Sequence, residues 1–289
     1  MIQVQPSQYA GLQPLLRSPR LNLHFARAVL EGRVTGTVHV DDPVRPKAAY
    51  ILHPCGMSLL CGSAHSGSFK SALVGYMLDH ARTRRSFEMA QAHPDSWHDE
   101  LARLLGPRLL RNADPSRRGL DHAGVQTLGN GRVIEWVRLN FEFDRAAFEA
   151  APDPLLEAGL RLGRAGRAVF RPWQGGLVVP GNFWDSPEHF ERDGVAFAVF
   201  EGIRPLCVAF SAWILRDVLE IGIETCPDAR RRGLASVACA ALIRHALSRG
   251  LEPVWSAHLD NHASHTLAAR LGFKRTLQLP YYGLVANGN

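Results

Sequence analysis

The spacing of apolar and polar residues changes period several times along the chain, and each change predicts an element. Val34–Val40 alternates with a period of two, and Ala48–His53 and Met57–Cys61 read as strands about a Pro-Cys-Gly turn. Ser68–Arg82 repeats its apolar residues at helical spacing, with Ser66 or Ser68 available as a cap, and Ser96–Leu105 reads as another helix. Arg132–Phe143 sets Val133, Glu135 and Val137 against Ile134, Trp136 and Arg138, the pattern of a strand. Around Phe148–Pro154 an Ala-Pro-Asp-Pro stretch interrupts the pattern and predicts a boundary between domains 1–150 and 151–289.

Beyond the boundary the spacing predicts strands at Ala165–Phe170, Val195–Phe200, Pro205–Ile214 and Val218–Thr225. Ser-Pro-Glu opens a helix over Ser186–Asp193. A helix Gly233–Arg249, a strand Pro253–His258, a helix Asn261–Leu271 and a last strand Lys274–Tyr282 follow. Antiparallel strands followed by strand–helix–strand–helix imply an α/β fold, a mixed sheet with helices on both faces. The N-terminal domain is expected to be a smaller mixed α/β domain.

Composition narrows the function classes. The 289 residues are 46% apolar and 21% charged, enough for two domains with sizeable cores. Leu234–Ala246 is the most apolar helical stretch, but it is too short to span a bilayer and is broken by Arg244. Met1–Arg20 lacks the charged-then-apolar order of a signal peptide, so a cytoplasmic protein with no membrane partner is expected. Five cysteines, an odd number with no CxxC pair, fit buried thiols in a reducing compartment. The net charge of +6 rests on arginine, since lysine occurs only at 47, 70 and 274. Those arginines are dispersed, and the clusters Arg82/Arg84/Arg85 and Arg117/Arg118 have no interleaved aromatic platform, so a nucleic-acid partner is not expected. The oligomeric state is left open, a homodimer being one option.

The candidate chemistry lies in Leu219–Ala235, where a strand ends in a short turn and a helix begins at Gly233. A helix N-terminus presents unpaired N–H groups and partial positive charge, which suits a phosphate or pyrophosphate. Gly233 and Ala235 allow close approach to the backbone, and Arg230, Arg231 and Arg232 can add charge-assisted contacts. The other reading of the same residues is an ordinary strand–helix junction with a glycine start. By period two, Glu220, Gly222 and Glu224 share one face of the strand, opposite Leu219, Ile221 and Ile223. Gly222 could mark a bulge.

Arg230-x-x-Gly233-x-Ala235 resembles the acetyl-CoA-binding motif of the GNAT acetyltransferases, written Q/R-x-x-G-x-G/A. Asn261-His-Ala-Ser264 and Leu271-Gly272-Phe273 resemble the second half of that superfamily's fold, in the same order. Trp255 and Asn261-x-x-Ser264 also resemble a bacterial subfamily that includes relatives of the zwittermicin-resistance acetyltransferase. The resemblance implies a C-terminal GNAT fold with a splayed central sheet and an acetyl-CoA-dependent N-acetyltransferase acting on a small-molecule amine. It implies a pyrophosphate seat on Arg231, Arg232, Gly233, Leu234 and Ala235, with Arg230 and Ser236 flanking it. The pantetheine arm would lie between strands Val218–Thr225 and Pro253–His258, against Ile223 and Thr225. Asn261 and Ser264 would reach the cofactor, although with Asp260 the asparagine could equally cap the helix.

The resemblance makes Glu220 the first candidate base for deprotonating the amine, with Glu224 second. The tyrosine that many GNAT enzymes carry five residues before the Phe of Leu-Gly-Phe is Ala268 here, so the acid for the leaving thiolate would be Ser264, His265, Tyr281 or Tyr282. A non-catalytic acyl-CoA-binding or regulatory module is the alternative. The first half carries no such turn, and if it is a degenerate relative of the second it is not expected to bind coenzyme A. His258, His262 and His265 lie close in sequence, but a metal site would need a fourth ligand and none is expected.

Overall fold

In the structure, a computed structural model, residues 1–16, 22–63, 65–111, 125, 127–172 and 178–286 are described. Arg117 and Arg118 lie outside them. The strands in chain order are β1 (Ile2–Gln3), β2 (Thr37–Val40), β3 (Ala48–Leu52), β4 (Met57–Gly62), β5 (Glu88–His93), β6 (Leu109–Leu110) and β7 (Val133–Phe143). They continue with β8 (Leu160–Ala165), β9 (Ala196–Glu201), β10 (Arg204–Leu215), β11 (Val218–Thr225), β12 (Glu252–His258) and β13 (Phe273–Leu284). The helices are α1 (His24–Leu30), α2 (Gly67–Met77), α3 (Ser96–Leu105), α4 (Arg145–Ala150), α5 (Pro187–Asp193), α6 (Leu234–Ser248) and α7 (His262–Arg270).

The chain forms two compact units, Met1–Arg138 with Gln278–Asn289, and Leu139–Leu277. The sequence pattern places the boundary at 150/151, whereas the units divide within β7, and the end of β13 groups with the first unit by pairing with β5 (Tyr282↔Ala90). That pairing is remote in sequence, and a local composition break cannot reveal it. It also makes the first unit the longer of the two rather than the smaller.

In the first unit β1, β2, β3 and β4 pair antiparallel in order, and β4 pairs parallel with β5. The β4–β5 pairing runs unbroken from Met57↔Met89 to Cys61↔His93. Helices α2 and α3 bury Phe69, Leu73, Trp97 and Leu101 with Tyr50, Leu60, Ala90 and Tyr282. The end of α2 is tied by Arg84, whose Nη2 donates to Tyr76 O at 2.8 Å and Nη1 to Val285 O at 3.2 Å. A buried arginine needs a counter-charge, and Glu88 lies 3.6 Å from its Nε. The Glu88 carboxylate accepts in turn from Ser58 Oγ at 2.6 Å, Tyr76 Oη at 2.7 Å and the Tyr50 hydroxyl. Burial and the Glu88 charge push both tyrosine hydroxyls above their usual range, so they stay protonated donors.

In the second unit the sheet runs β8-β9-β10-β11-β12, antiparallel until the parallel β11–β12 pair. Helix α6 packs across β9 to β12 with Leu234, Val237, Ala238, Leu242, Ile243 and Ala246 buried. Ser186 caps α5 by accepting from His189 N at 3.1 Å, with Pro187 at the first helical position, where a missing N–H costs nothing. The expected strand Ala165–Phe170 is instead β8, ending at Ala165, and a 3-10 turn Arg167–Val169. Arg167 pairs with Glu188 and Glu191, which holds the turn against α5 rather than in the sheet. Cys61, Cys207, Cys226 and Cys239 are buried free thiols, and burial pushes Cys61 and Cys207 up to about 12.

Candidate active site

The site is built where β11 and β12 separate. Their pairing covers Val218↔Glu252, Leu219↔Pro253 and Glu220↔Val254 and ends there. Beyond it Ile221–Thr225 and Trp255–His258 continue as the two arms of a fork. This differs from the fully paired β4–β5 of the first unit.

Along β11, Leu219 and Ile221 are buried, and on the other face Glu220 is only 5% exposed. Glu220 Oε2 accepts from Trp213 Nε1 at 3.0 Å and Oε1 accepts from Ser256 Oγ at 3.0 Å. Both donors come from neighbouring strands, β10 and β12, so the carboxylate bridges the sheet at the base of the fork. Trp213 is itself held edge-on by Phe183, 5.5 Å between ring centroids. Glu224 lies further along the fork; its carboxylate accepts from Val178 N at 3.1 Å and Thr225 N at 3.2 Å and sits 3.6 Å from Arg230 Nη2. The two carboxylates have different partners, although the alternation puts them on one face.

Gly222 plays a different part from the bulge its position suggests. The register shift lies in β10, between Ser211 and Trp213, opposite Ile221 and Glu220. Gly222 is paired with Phe210, and a Cβ there would run into the Phe210 ring. The glycine makes room for an aromatic side chain rather than for an extra residue.

After β11, Pro227–Ala229 form a single 3-10 turn, and the backbone passes through left-handed conformations at Arg231 (φ 65°) and Gly233 (φ 77°) before α6 starts. Gly233 is the helix N-cap, and a side chain there would meet open space, so its requirement is conformational. Ser236 N and Val237 N are the first amides of the helix to bond a carbonyl, that of Gly233. Among the described residues, the N–H groups of Arg231, Arg232, Gly233, Leu234 and Ala235 have no acceptor. Gly233 is exposed and Ala235 and Ser236 are half-buried. Left-handed residues in a turn can aim successive amides at a common point, an arrangement that, beside a helix terminus, suits an anion. The donor set fits a pyrophosphate.

The arginines of the turn divide their roles. Arg232 is clamped to Glu157, Nε to Oε2 at 3.0 Å and Nη2 to Oε1 at 2.9 Å. Arg230 Nε donates to Thr225 O at 3.3 Å. Both guanidiniums therefore brace the turn. Thr225 Oγ1 donates to Cys207 Sγ at 3.2 Å, and Ile223 stands half-buried on the fork arm.

On the other arm, Asn261 caps α7, its Oδ1 accepting from Ser264 N at 3.1 Å. Ser264 Oγ accepts from the buried Trp255 indole at 3.0 Å. Both residues thus secure the α7 start against β12. His265 Nε2 bonds His258 O at 2.9 Å, and His258 Nδ1 accepts from Asp260 N at 3.0 Å. Ala268, in the place of the usual tyrosine, is fully buried. Tyr281 and Tyr282 belong to the first unit, where Tyr282 Oη pairs with His98 Nδ1 at 2.8 Å. Sequence reasoning missed Trp213 and Ser256. Ser256 shares period-two parity with Val254 and His258, but only the strand register brings it to Glu220.

Residues 156–282 match the family model of the GNAT acetyltransferases. Over 260 residues, 89% of each chain, the sequence is 23% identical to YdfB, an uncharacterised N-acetyltransferase of Bacillus subtilis. The fold is similar to that of a GCN5-related N-acetyltransferase-like protein from Streptococcus suis (TM-score 0.68, 21% identity, 96% of this chain and 98% of that one). It is also similar to a tandem GNAT protein from the clavulanic acid biosynthesis pathway (TM-score 0.54, 11% identity, 100% and 98%). The strand–turn–helix, the fork and the family match fall in one segment, residues 156–282, and the family match, the Bacillus relative and the fold together support an acetyltransferase.

Proposed function

We propose that the protein transfers the acetyl group of acetyl-CoA to an amine of a small molecule, by direct attack within a ternary complex. The observation that carries this reading is the row of unpaired amides from Arg231 to Ala235, at the end of one arm of the β11–β12 fork. These amides would hold the pyrophosphate, as the resemblance implies. The open arms, with Ile223 and Thr225 on one of them, would accept the amide-bearing pantetheine as a third strand. A thioester reaching toward the base of the fork comes to the Glu220 side, which makes Glu220 the first candidate for drawing off the amine proton and Glu224 the second.

Among the described residues of the first unit, the open fork between parallel strands does not recur. That unit's parallel pair β4–β5 is closed along Met57–Cys61, and Ser66 caps α2 by accepting from Phe69 N at 3.4 Å. We read it as a degenerate relative of the second, in line with the whole-length similarity to a tandem GNAT protein. The likeness of Trp255 and Asn261-x-x-Ser264 to relatives of the zwittermicin-resistance acetyltransferase favours a small-molecule acceptor. The buried free thiols suit the cytoplasm.

Calorimetry with acetyl-CoA on the wild type and on Gly233→Asp tests the reading. The wild type should bind, and the aspartate should weaken binding at least about 100-fold by setting a carboxylate where the pyrophosphate sits. Equal affinity in a folded Gly233→Asp protein would remove the turn from the site.

A further inference from the structure

We propose that Ser256 is the proton relay between the acceptor amine and Glu220, a role that rests on the acetyltransferase reading of the fork. Glu220 is buried, and each of its carboxylate oxygens already accepts a hydrogen bond, from Trp213 Nε1 and from Ser256 Oγ, both at 3.0 Å. Its access to a substrate is therefore poor. Ser256 is half-buried and lies two residues past Val254, the last residue of β12 paired with β11. It stands on the opened arm, on the face where Glu220 lies.

A serine hydroxyl has one donor and two acceptor lone pairs. Toward Glu220 Oε1 the serine is the donor, so toward an N–H group it acts as an acceptor. An ammonium or amine offers N–H donors and is complementary to that arrangement. Trp213 on the far oxygen fixes the carboxylate, so the serine is held in one orientation.

The step conserves protons and electron pairs. An ammonium acceptor gives one proton to Ser256 Oγ while the serine proton moves to Glu220 Oε1. Serine ends as a neutral hydroxyl, Glu220 as a carboxylic acid and the acceptor as a neutral amine. The amine lone pair forms the C–N bond at the thioester carbonyl carbon. The C–S bond then breaks with its electron pair on sulfur, and the second amine proton reaches the thiolate through solvent. The products are an amide and a thiol, with one proton held on Glu220 until it exchanges.

The test is thiol release by the full chain from acetyl-CoA, with spermidine, tyramine and lysine methyl ester as acceptors and acetyl-CoA calorimetry on every variant. On the amine that the wild type acetylates best, Ser256→Ala should lower kcat about 100-fold with unchanged acetyl-CoA affinity. Ser256→Thr, which keeps the hydroxyl, should restore turnover to within about tenfold of wild type. Because the two groups act in series, Ser256→Ala/Glu220→Gln should be no slower than the slower single variant. A wild-type kcat in Ser256→Ala overturns the relay, and so do losses that multiply in the double variant. A wild type that binds no acetyl-CoA, or acetylates none of the three amines, overturns the underlying reading and the relay with it.

Discussion

Ser256 Oγ donates to Glu220 Oε1 at 3.0 Å, joining two parallel strands just past the last residues that their backbones pair. A side-chain bridge at that point does two things. It closes the base of the fork, and it fixes a carboxylate beside the opening. The second donor to Glu220, the indole of Trp213, comes from β10.

Trp213→Phe should keep most of the packing against Phe183 and leave Glu220 Oε2 short of that donor. A buried carboxylate oxygen deprived of a donor costs about 1–3 kcal/mol. We expect a comparable loss in urea denaturation and about a tenfold fall in kcat, with acetyl-CoA affinity unchanged. An unaltered kcat would show that the carboxylate keeps its orientation without the indole.

Gly222→Ala should destabilise the protein by about 1–3 kcal/mol, because the new methyl meets the buried Phe210 ring. Phe210→Leu in the same chain should recover part of that loss by shortening the obstructing side chain. Chemical denaturation of both variants checks the pair. Additive losses would mean that the ring and the methyl do not compete for one space.

Asn261→Ala separates two roles that the sequence left equal. As the α7 cap its loss should cost about 1 kcal/mol of stability. Calorimetry should then show acetyl-CoA affinity within about threefold of wild type. A much larger loss of affinity at that same small cost in stability would assign the side chain to the cofactor.

The extent to which the sequence was legible differs by element. The boundaries of α3 and β11 follow from periodicity alone, and those of α5 and α7 from Ser186 and Asn261, because a short polar side chain before a helical repeat satisfies the first amides. β5 was not legible: Glu88 and Gln91 are buried polar residues that break the alternation, and the network that compensates Glu88 is assembled from β3, β4 and α2. β8 was misplaced because its arginines face apolar partners by lying on rings, Arg161 over Phe200 at 4.6 Å and Arg164 over Phe197 at 5.9 Å. In the candidate site, the turn was legible because its glycine and arginines are contiguous. The partners of Glu220 were not, since Trp213 and Ser256 reach it through strand register.

Stability should fall on acidification through His53. Burial lowers its pKa to about 4 in the folded chain, against about 6.5 when exposed. The unfolded chain therefore binds the extra proton first, so the contribution is complete above pH ~6.5 and is lost as pH falls toward 4, amounting to roughly 3 kcal/mol. As pH falls from 7 to 4, the denaturation midpoint of the wild type should drop relative to that of His53→Leu. Parallel curves would mean that His53 is accessible to protons in the folded state.

The central claim is that the Arg231–Ala235 turn and the β11–β12 fork bind acetyl-CoA for transfer. Calorimetry with acetyl-CoA on the wild-type chain, followed by thiol release with an amine panel on the same sample, tests it most directly. The account predicts one-to-one binding, lost in Gly233→Asp, and amine-dependent thiol release that collapses in Glu220→Gln. Absence of acetyl-CoA binding by the wild type would contradict it and leave the turn as a plain strand–helix junction.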